Sequence, residues 1–197
     1  MKTHPSRRKD GFTLVELLVV IAIIAVLAGA GFAAGNAAIQ RAKKTTALAS
    51  CTAIEGAVNA FYSEYNSMPK EGMNTDETVK TDAAEGVTFL KVLLGAEGAT
   101  ATNPLNVRSI KLLSVSQGKA KKNGLIYDAA GTTVEGLFDP WGGPYNVILD
   151  GDYDEIVKPA PLGGGGATLN GKRSAAWSAG ADGTKGSGKP ADDVKTW

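Results

Sequence analysis

The sequence predicts an α+β fold: one long N-terminal α-helix packed on a small antiparallel β-sheet head, a lollipop. Three observations predict it. Residues 12–65 contain no proline, the first half of that stretch is almost purely apolar, and its second half carries apolar residues at helical spacing. Beyond it, short β-rich runs alternate with Gly, Pro and Asp turn signals. A chain of 197 residues has room for one such head beside the helix.

Composition removes several classes. The chain holds 21 Lys+Arg, 20 Asp+Glu, one His and one Cys. Cys51 alone cannot close an internal disulfide, and Cys51 with His4 cannot build a zinc site. His4 lies in a polar N-terminal tail, which excludes a His-based triad. A net charge of +1 lacks the basic face that nucleic acid requires. The charge is uneven, however. Lys2, Arg7, Arg8 and Lys9 face only Asp10 within residues 1–11, and the rest of the chain is slightly acidic.

That basic tip precedes the strongest signal in the chain. Residues 12–35 contain a single charge, Glu16, and residues 17–34 contain no charged or hydroxyl side chain. About 20 such residues cross a bilayer core as a helix, so this is the membrane half of the long helix. The preceding cations place its start in the cytoplasm and the head across the membrane. A cleaved secretory signal has the same parts: a basic start, an apolar stretch over 17–27, and small residues at Ala28, Gly29 and Ala30. Glu16 separates the two readings. A carboxylate inside a span costs about 2.5–3.5 kcal/mol and marks function, whereas signal peptides keep acids out of their apolar stretch.

The string Lys9-Asp10-Gly11-Phe12-Thr13-Leu14-Val15-Glu16-Leu17-Leu18 resembles the type III signal of the type IV pilin superfamily. That resemblance implies a leader, residues 1–11, cut between Gly11 and Phe12 by a prepilin peptidase that also methylates the new Phe12 amine. Glu16 becomes the fifth residue of the mature chain. In lipid its carboxylate is an unpaired acceptor or a reluctantly neutral acid. By the resemblance, the Phe12 amine of a neighbouring subunit relieves it and sets the register of a growing helical filament. Against this stands a carboxylate that merely snorkels to the membrane surface, one turn away.

The amphipathic half of the helix follows, over residues 36–65. Ala47, Cys51, Ile54, Val58, Phe61 and Tyr65 recur at steps of three and four and form a stripe that wants a partner sheet. Arg41, Lys43, Lys44, Glu55 and Glu64 take the other face, and Cys51 reads as a small core residue. One helix over 12–65 is about 81 Å long at 1.5 Å per residue, too long to bury in one small domain. Many members of the family place a Pro mid-helix, where this chain has Ala33. Gly29, Gly31 and Gly35 surround it and either soften the helix or pack closely against other helices.

Residues 66–197 form the head. Met68-Pro69 ends the long helix, a short helix is expected over 87–94 before Gly95, and residues 105–116 are ambiguous. The lysine-rich stretch 118–124 reads as a solvated loop. Trp141 lies between Asp139-Pro140 and Gly142-Gly143-Pro144 turns and can pin that loop on the head. Residues 145–149 and 173–178 read as paired strands with 155–157 between them. The glycines at 163–166 are a turn, because no Lys-Ser/Thr or helix start follows as a phosphate loop needs.

Three head blocks extend the resemblance. Asp139-Pro140-Trp141-Gly142-Gly143-Pro144-Tyr145, Ser178-Ala179-Gly180-Ala181-Asp182-Gly183, and Asp192-Asp193-Val194 with Trp197 are similar to the major pseudopilin of type II secretion systems. Residues 72–137 and 150–170 depart from that pattern. The resemblance implies a Ca²⁺ ion in the C-terminal loop, with Asp182 and Asp193 as side-chain ligands and carbonyls of Ala179, Thr184 and Ala191. Calcium takes six to eight oxygens from flexible loops, so the donor set is reasonable; a simple Asp182-Gly183 turn is the alternative. Asp150, Asp152 and Asp154 also look calcium-like. They lack Gly at the sixth loop position and an acid at the twelfth (Pro161), and the stretch is read as a charged hairpin tip.

The leading function is therefore structural rather than enzymatic. A pseudopilin would assemble, with minor pseudopilins, a cytoplasmic ATPase and an inner-membrane platform, into a periplasmic filament that drives protein export. A surface pilus subunit for adhesion, motility or DNA uptake is the second reading, disfavoured by the lack of a C-terminal Cys pair. The third is a secreted protein behind an ordinary signal peptide, and no catalytic cluster supports it.

Overall fold

The computed structural model describes residues 12–98, 102–159, 167–183 and 193–197. Its α+β elements are a 52-residue helix α1 (Leu14–Tyr65), a second helix α2 (Ala84–Leu94) and short strands. The strands are β1 (Glu77–Lys80), β2 (Gly124–Tyr127), β3 (Val134–Phe138), β4 (Tyr145–Leu149), β5 (Ile156–Val157), β6 (Leu169–Asn170), β7 (Ser174–Ser178) and β8 (Val194–Lys195). All strand pairs are antiparallel, as expected.

The chain divides into two compact units, Met1–Arg41 and Ala42–Trp197. In the first, the beginning of α1 leaves its large apolar side chains exposed, among them Leu17, Leu18, Ile21, Ile24 and Phe32. The helix continues without a break through residues 29–35. It holds a stretch long and apolar enough to cross a membrane.

The second unit is built on the predicted stripe. Ala47, Cys51, Ile54, Val58 and Phe61 are sealed from solvent, with Tyr65 partly buried at the end of the row. They share one core with Phe89, Leu90 and Leu93 of α2 and with one face of the main sheet. That sheet has strand order β1-β4-β7-β8, and the register aligns Val79 with Val147 and Val147 with Ala176. These three, with Tyr145 and Leu149, point into the core, as the two-residue period of a strand requires. The opposite face is covered as well. Ile148, Ala175 and Trp177 form a second cluster with Val157, and Leu169 and Trp197 pack against it. Trp197 meets Trp177 edge to face, with ring centres 5.8 Å apart.

Local chemistry sets the ends of the helices. Asn66 adopts φ 50 and its N–H still bonds to the Tyr62 carbonyl at 2.8 Å, so α1 stops on an αL asparagine three residues before Pro69. Gly95, at φ 64, closes α2 in the same way; the Ala96 N–H reaches the Lys91 carbonyl at 2.8 Å. A Cβ there would lie 2.5 Å from the Ser109 carbonyl oxygen, so glycine is required twice over.

The ambiguous stretch 105–116 has no regular structure, yet a buried asparagine organises it. The Asn106 amide donates to the carbonyls of Val92 and Ile110 at 2.8 Å, and its Oδ1 accepts from the Tyr65 hydroxyl at 2.6 Å. One side chain thus ties the end of α1 to α2. The lysine-rich stretch is an exposed turn with positive φ at Ala120, Lys121 and Asn123. Glu55 departs from its expected solvent face: it is only 8% exposed and pairs with Lys172 at 2.6 Å.

Candidate processing, assembly and head sites

The N-terminal site is built by the first turn of α1. Thr13 is the residue before the helix, and Glu16 stands three positions on. The Thr13 N–H and hydroxyl donate to Glu16 Oε2 at 2.8 and 2.7 Å, and the Glu16 N–H donates back to Thr13 Oγ1 at 3.3 Å. This is a reciprocal capping box, legible in the sequence as Thr-x-x-Glu. It refines the view of Glu16 as an unpaired acceptor, because one oxygen is engaged within the chain. Both donors are neutral, so among the described residues the charge has no cation beside it. Phe12, just ahead, is 76% exposed. Gly11 and the rest of the leader lie outside the described residues.

A family model for the prokaryotic N-terminal methylation motif matches residues 6–32. The match spans Arg7, Arg8 and Lys9 of the basic tip, Gly11, Phe12, Glu16 and most of the apolar run. That motif marks a type IV pilin-like prepilin. Its motif indicates a structural subunit cut by prepilin peptidase, anchored through a single N-terminal helix and assembled into a filament. No solved structure matches the prepilin.

In the prepilin's head, two of the sequence blocks meet at one carboxylate. Asp139 is 1% exposed. Its Oδ1 accepts the N–H groups of Trp141, Gly142 and Gly143 at 2.7–2.9 Å, and its Oδ2 accepts the Ser178 hydroxyl at 2.5 Å. The Gly180 N–H then donates to Ser178 Oγ at 3.0 Å. The Asp-Pro-Trp-Gly turn is therefore bonded to the start of the C-terminal loop. Trp141 packs partly buried against the core, as expected of a residue pinning its loop.

Of the candidate calcium ligands, Ala179, Asp182 and Asp193 are described, and Thr184 and Ala191 lie outside the described residues. Asp182 stands on the exposed turn after β7. Asp193 is half-buried beside β8, with both carboxylate oxygens shielded from solvent.

Sequence reasoning missed Asp76. It precedes β1, and its carboxylate lies with those of Asp150 and Asp152, one ligand oxygen from each falling within 4.8 Å of the others. Burial raises the pKa of Asp76 and of Asp150 above the usual carboxylate value, and the neighbouring acids push the same way. No local pattern announces that pairing, since 74 positions separate Asp76 from Asp150.

Proposed function

We infer that this prepilin is a subunit of a type II secretion pseudopilus. In this reading it is inserted in the inner membrane with its head in the periplasm. Prepilin peptidase removes residues 1–11 and methylates Phe12. A cytoplasmic ATPase and an inner-membrane platform then add the subunit to a filament that also contains minor pseudopilins and drives protein export. The Asp139 junction carries the reading. It gives a physical role to two of the sequence blocks shared with major pseudopilins, because Asp139 and Ser178 hold one another and the C-terminal loop starts from that bond.

A Ca²⁺ ion completes the loop in this reading, on Asp182 and Asp193 with carbonyls of Ala179, Thr184 and Ala191. The donors are all oxygens, and the shielded Asp193 carboxylate suits a hard cation. Thermal melting of the full chain in detergent, with calcium and with chelator, tests it. A higher melting temperature with calcium that disappears in Asp193→Asn is expected; superimposable curves remove this ion.

Deleting the gene in its own bacterium tests the secretion role. Exported proteins should vanish from the medium and accumulate in the periplasm while surface appendages remain. Loss of surface filaments with export intact would instead assign a surface pilus subunit.

A further inference from the structure

Two exposed turns of opposite charge lie at opposite ends of β4. Lys119, Lys121 and Lys122 are exposed on the turn that packs ahead of the strand, and Asp152 and Asp154 on the loop that leaves it.

The lysine turn is held in one shape. Lys119 and Lys122 exchange backbone hydrogen bonds at 3.1 Å, and the Asn123 N–H donates to the Asp139 carbonyl at 2.8 Å. A Cβ on Gly142 would lie 3.3 Å from the Lys121 carbonyl oxygen and 3.4 Å from the Lys122 stem, so the turn rests on the Asp139 turn that precedes β4. Ala120 and Lys121 at its tip have φ 53 and 56. A two-residue turn of that shape favours Asn-Gly, and Ala-Lys is strained there. Local stability therefore does not account for Lys121. The acidic turn is strained too, with Tyr153 at φ 61 and Glu155 at φ 59. Among the described residues, five of the seven non-glycine residues at positive φ lie in these two turns, and strain of this kind gathers at functional surfaces.

Helix α1 gives the direction that separates them. Ser114 and Ser116, which lead into the lysine turn, line one cavity with Thr46 and Ser50. At the other end the Tyr153 ring centre lies 6.3 Å from that of Tyr62, and the Tyr153 hydroxyl accepts the Met68 N–H at 3.3 Å. From Ser50 to Tyr62 the helix rises about 18 Å at 1.5 Å per residue. The two charges thus mark opposite ends of the unit formed by residues 42–197.

Neither charge is neutralised within the chain. Among the described residues, no ion pair includes Lys119, Lys121, Lys122, Asp152 or Asp154. Arg173 is taken by Glu155, and Lys172 by Glu55. Asp76 and Asp150 lie with Asp152 and outweigh Lys158, whose N–H donates to Asp76.

We propose that the lysine turn of one head docks on the acidic turn of a second copy of this chain, so that successive heads meet end to end in the filament. A filament repeats one contact between two different surfaces of the same subunit, and complementary patches at opposite ends supply it. Opposed charges of this kind steer the approach and fix the register. The contact requires filament assembly, and it is the same in a secretion filament or a surface filament.

Cross-linking in cells that assemble filaments tests the contact. The full chain carrying Lys121→Cys and Asp154→Cys is treated with a short bismaleimide, to which buried Cys51 is closed. The new thiols stand at opposite ends of one head, so a link between them joins two subunits. A ladder of multimers on a denaturing gel is expected, absent from either single variant. Filaments by electron microscopy with the double variant still monomeric on the gel would overturn the docking and leave assembly standing; no filaments from the wild type would overturn both. Should the cysteine pair block assembly, charge reversal decides. Lys119→Glu/Lys121→Glu/Lys122→Glu should lower filament number at least tenfold at unchanged membrane content, and adding Asp152→Lys/Asp154→Lys should restore it. An undiminished count in the first variant or no recovery in the second would overturn the docking. Unchanged filaments with lost binding to phosphatidylglycerol vesicles would assign the lysines to lipid instead.

Discussion

Asp139 shows how much one buried side chain decides. Four donors converge on it, three from the backbone of its own turn and one from Ser178. Truncation strands several of them in a partly buried setting, where each unsatisfied group costs about 1–3 kcal/mol. Asp139→Ala should therefore lower the head's stability by about 3 kcal/mol or more in urea unfolding, and Ser178→Ala by about 1 kcal/mol. Cys51 makes the opposite point. The sequence placed it on the apolar stripe, and it is fully buried with its thiol pKa pushed up chiefly by burial. A maleimide should leave the native protein unlabelled at pH about 7 and still at about 9, since ionisation lies higher than either. Rapid labelling of folded protein would contradict that placement.

At the scale of elements, α1 was legible from end to end because its two halves obey strong and different rules. The first half is apolar throughout; the second repeats at steps of three and four. Its end at Tyr65 was expected from Pro69, although the αL conformation of Asn66 makes the stop. The start is fixed by the Thr13–Glu16 capping box, and Thr13→Ala should cost about 1 kcal/mol at the first turn. Faster amide exchange over residues 14–17 in detergent would register it, with no change near residue 50. The strands were less legible. β4 and β7 have compact apolar runs, but β5, β6 and β8 have only two residues each, too few for any periodicity. β2 and β3 lie among glycines and threonines, and their antiparallel pairing decides their state more than composition does. Glu55 was misplaced for a related reason. Its cation, Lys172, lies 117 positions away, so spacing along the helix put it with the solvent-facing charges. Lys172→Ala should destabilise the head by about 2 kcal/mol in urea unfolding, between the values for surface and fully buried pairs. Glu55→Gln together with Lys172→Ala should recover part of that loss.

For the whole molecule, the chemistry divides between a processed N-terminus and a head held by buried acids. The N-terminal motif was readable because Gly11, Phe12 and Glu16 stand at fixed distances from the start of the span. The head's sites were readable only where a turn carries its own residues, as at Asp139. Asp76 joins its partners through the fold, by way of the contact of Gly151 with Thr75, and no local reading reaches it. Assembly should depend on Glu16 and insertion should not. Glu16→Ala is expected to fractionate with the membrane like wild type yet yield no filaments by electron microscopy, and filaments built from that variant would refute its role. The most direct test of the account is the mass of the mature N-terminal peptide. It should begin at Phe12 and carry one N-methyl group, with residues 1–11 removed. A mature chain beginning near Gly31 would mean that an ordinary signal peptidase had cut it, and the prepilin reading would fall.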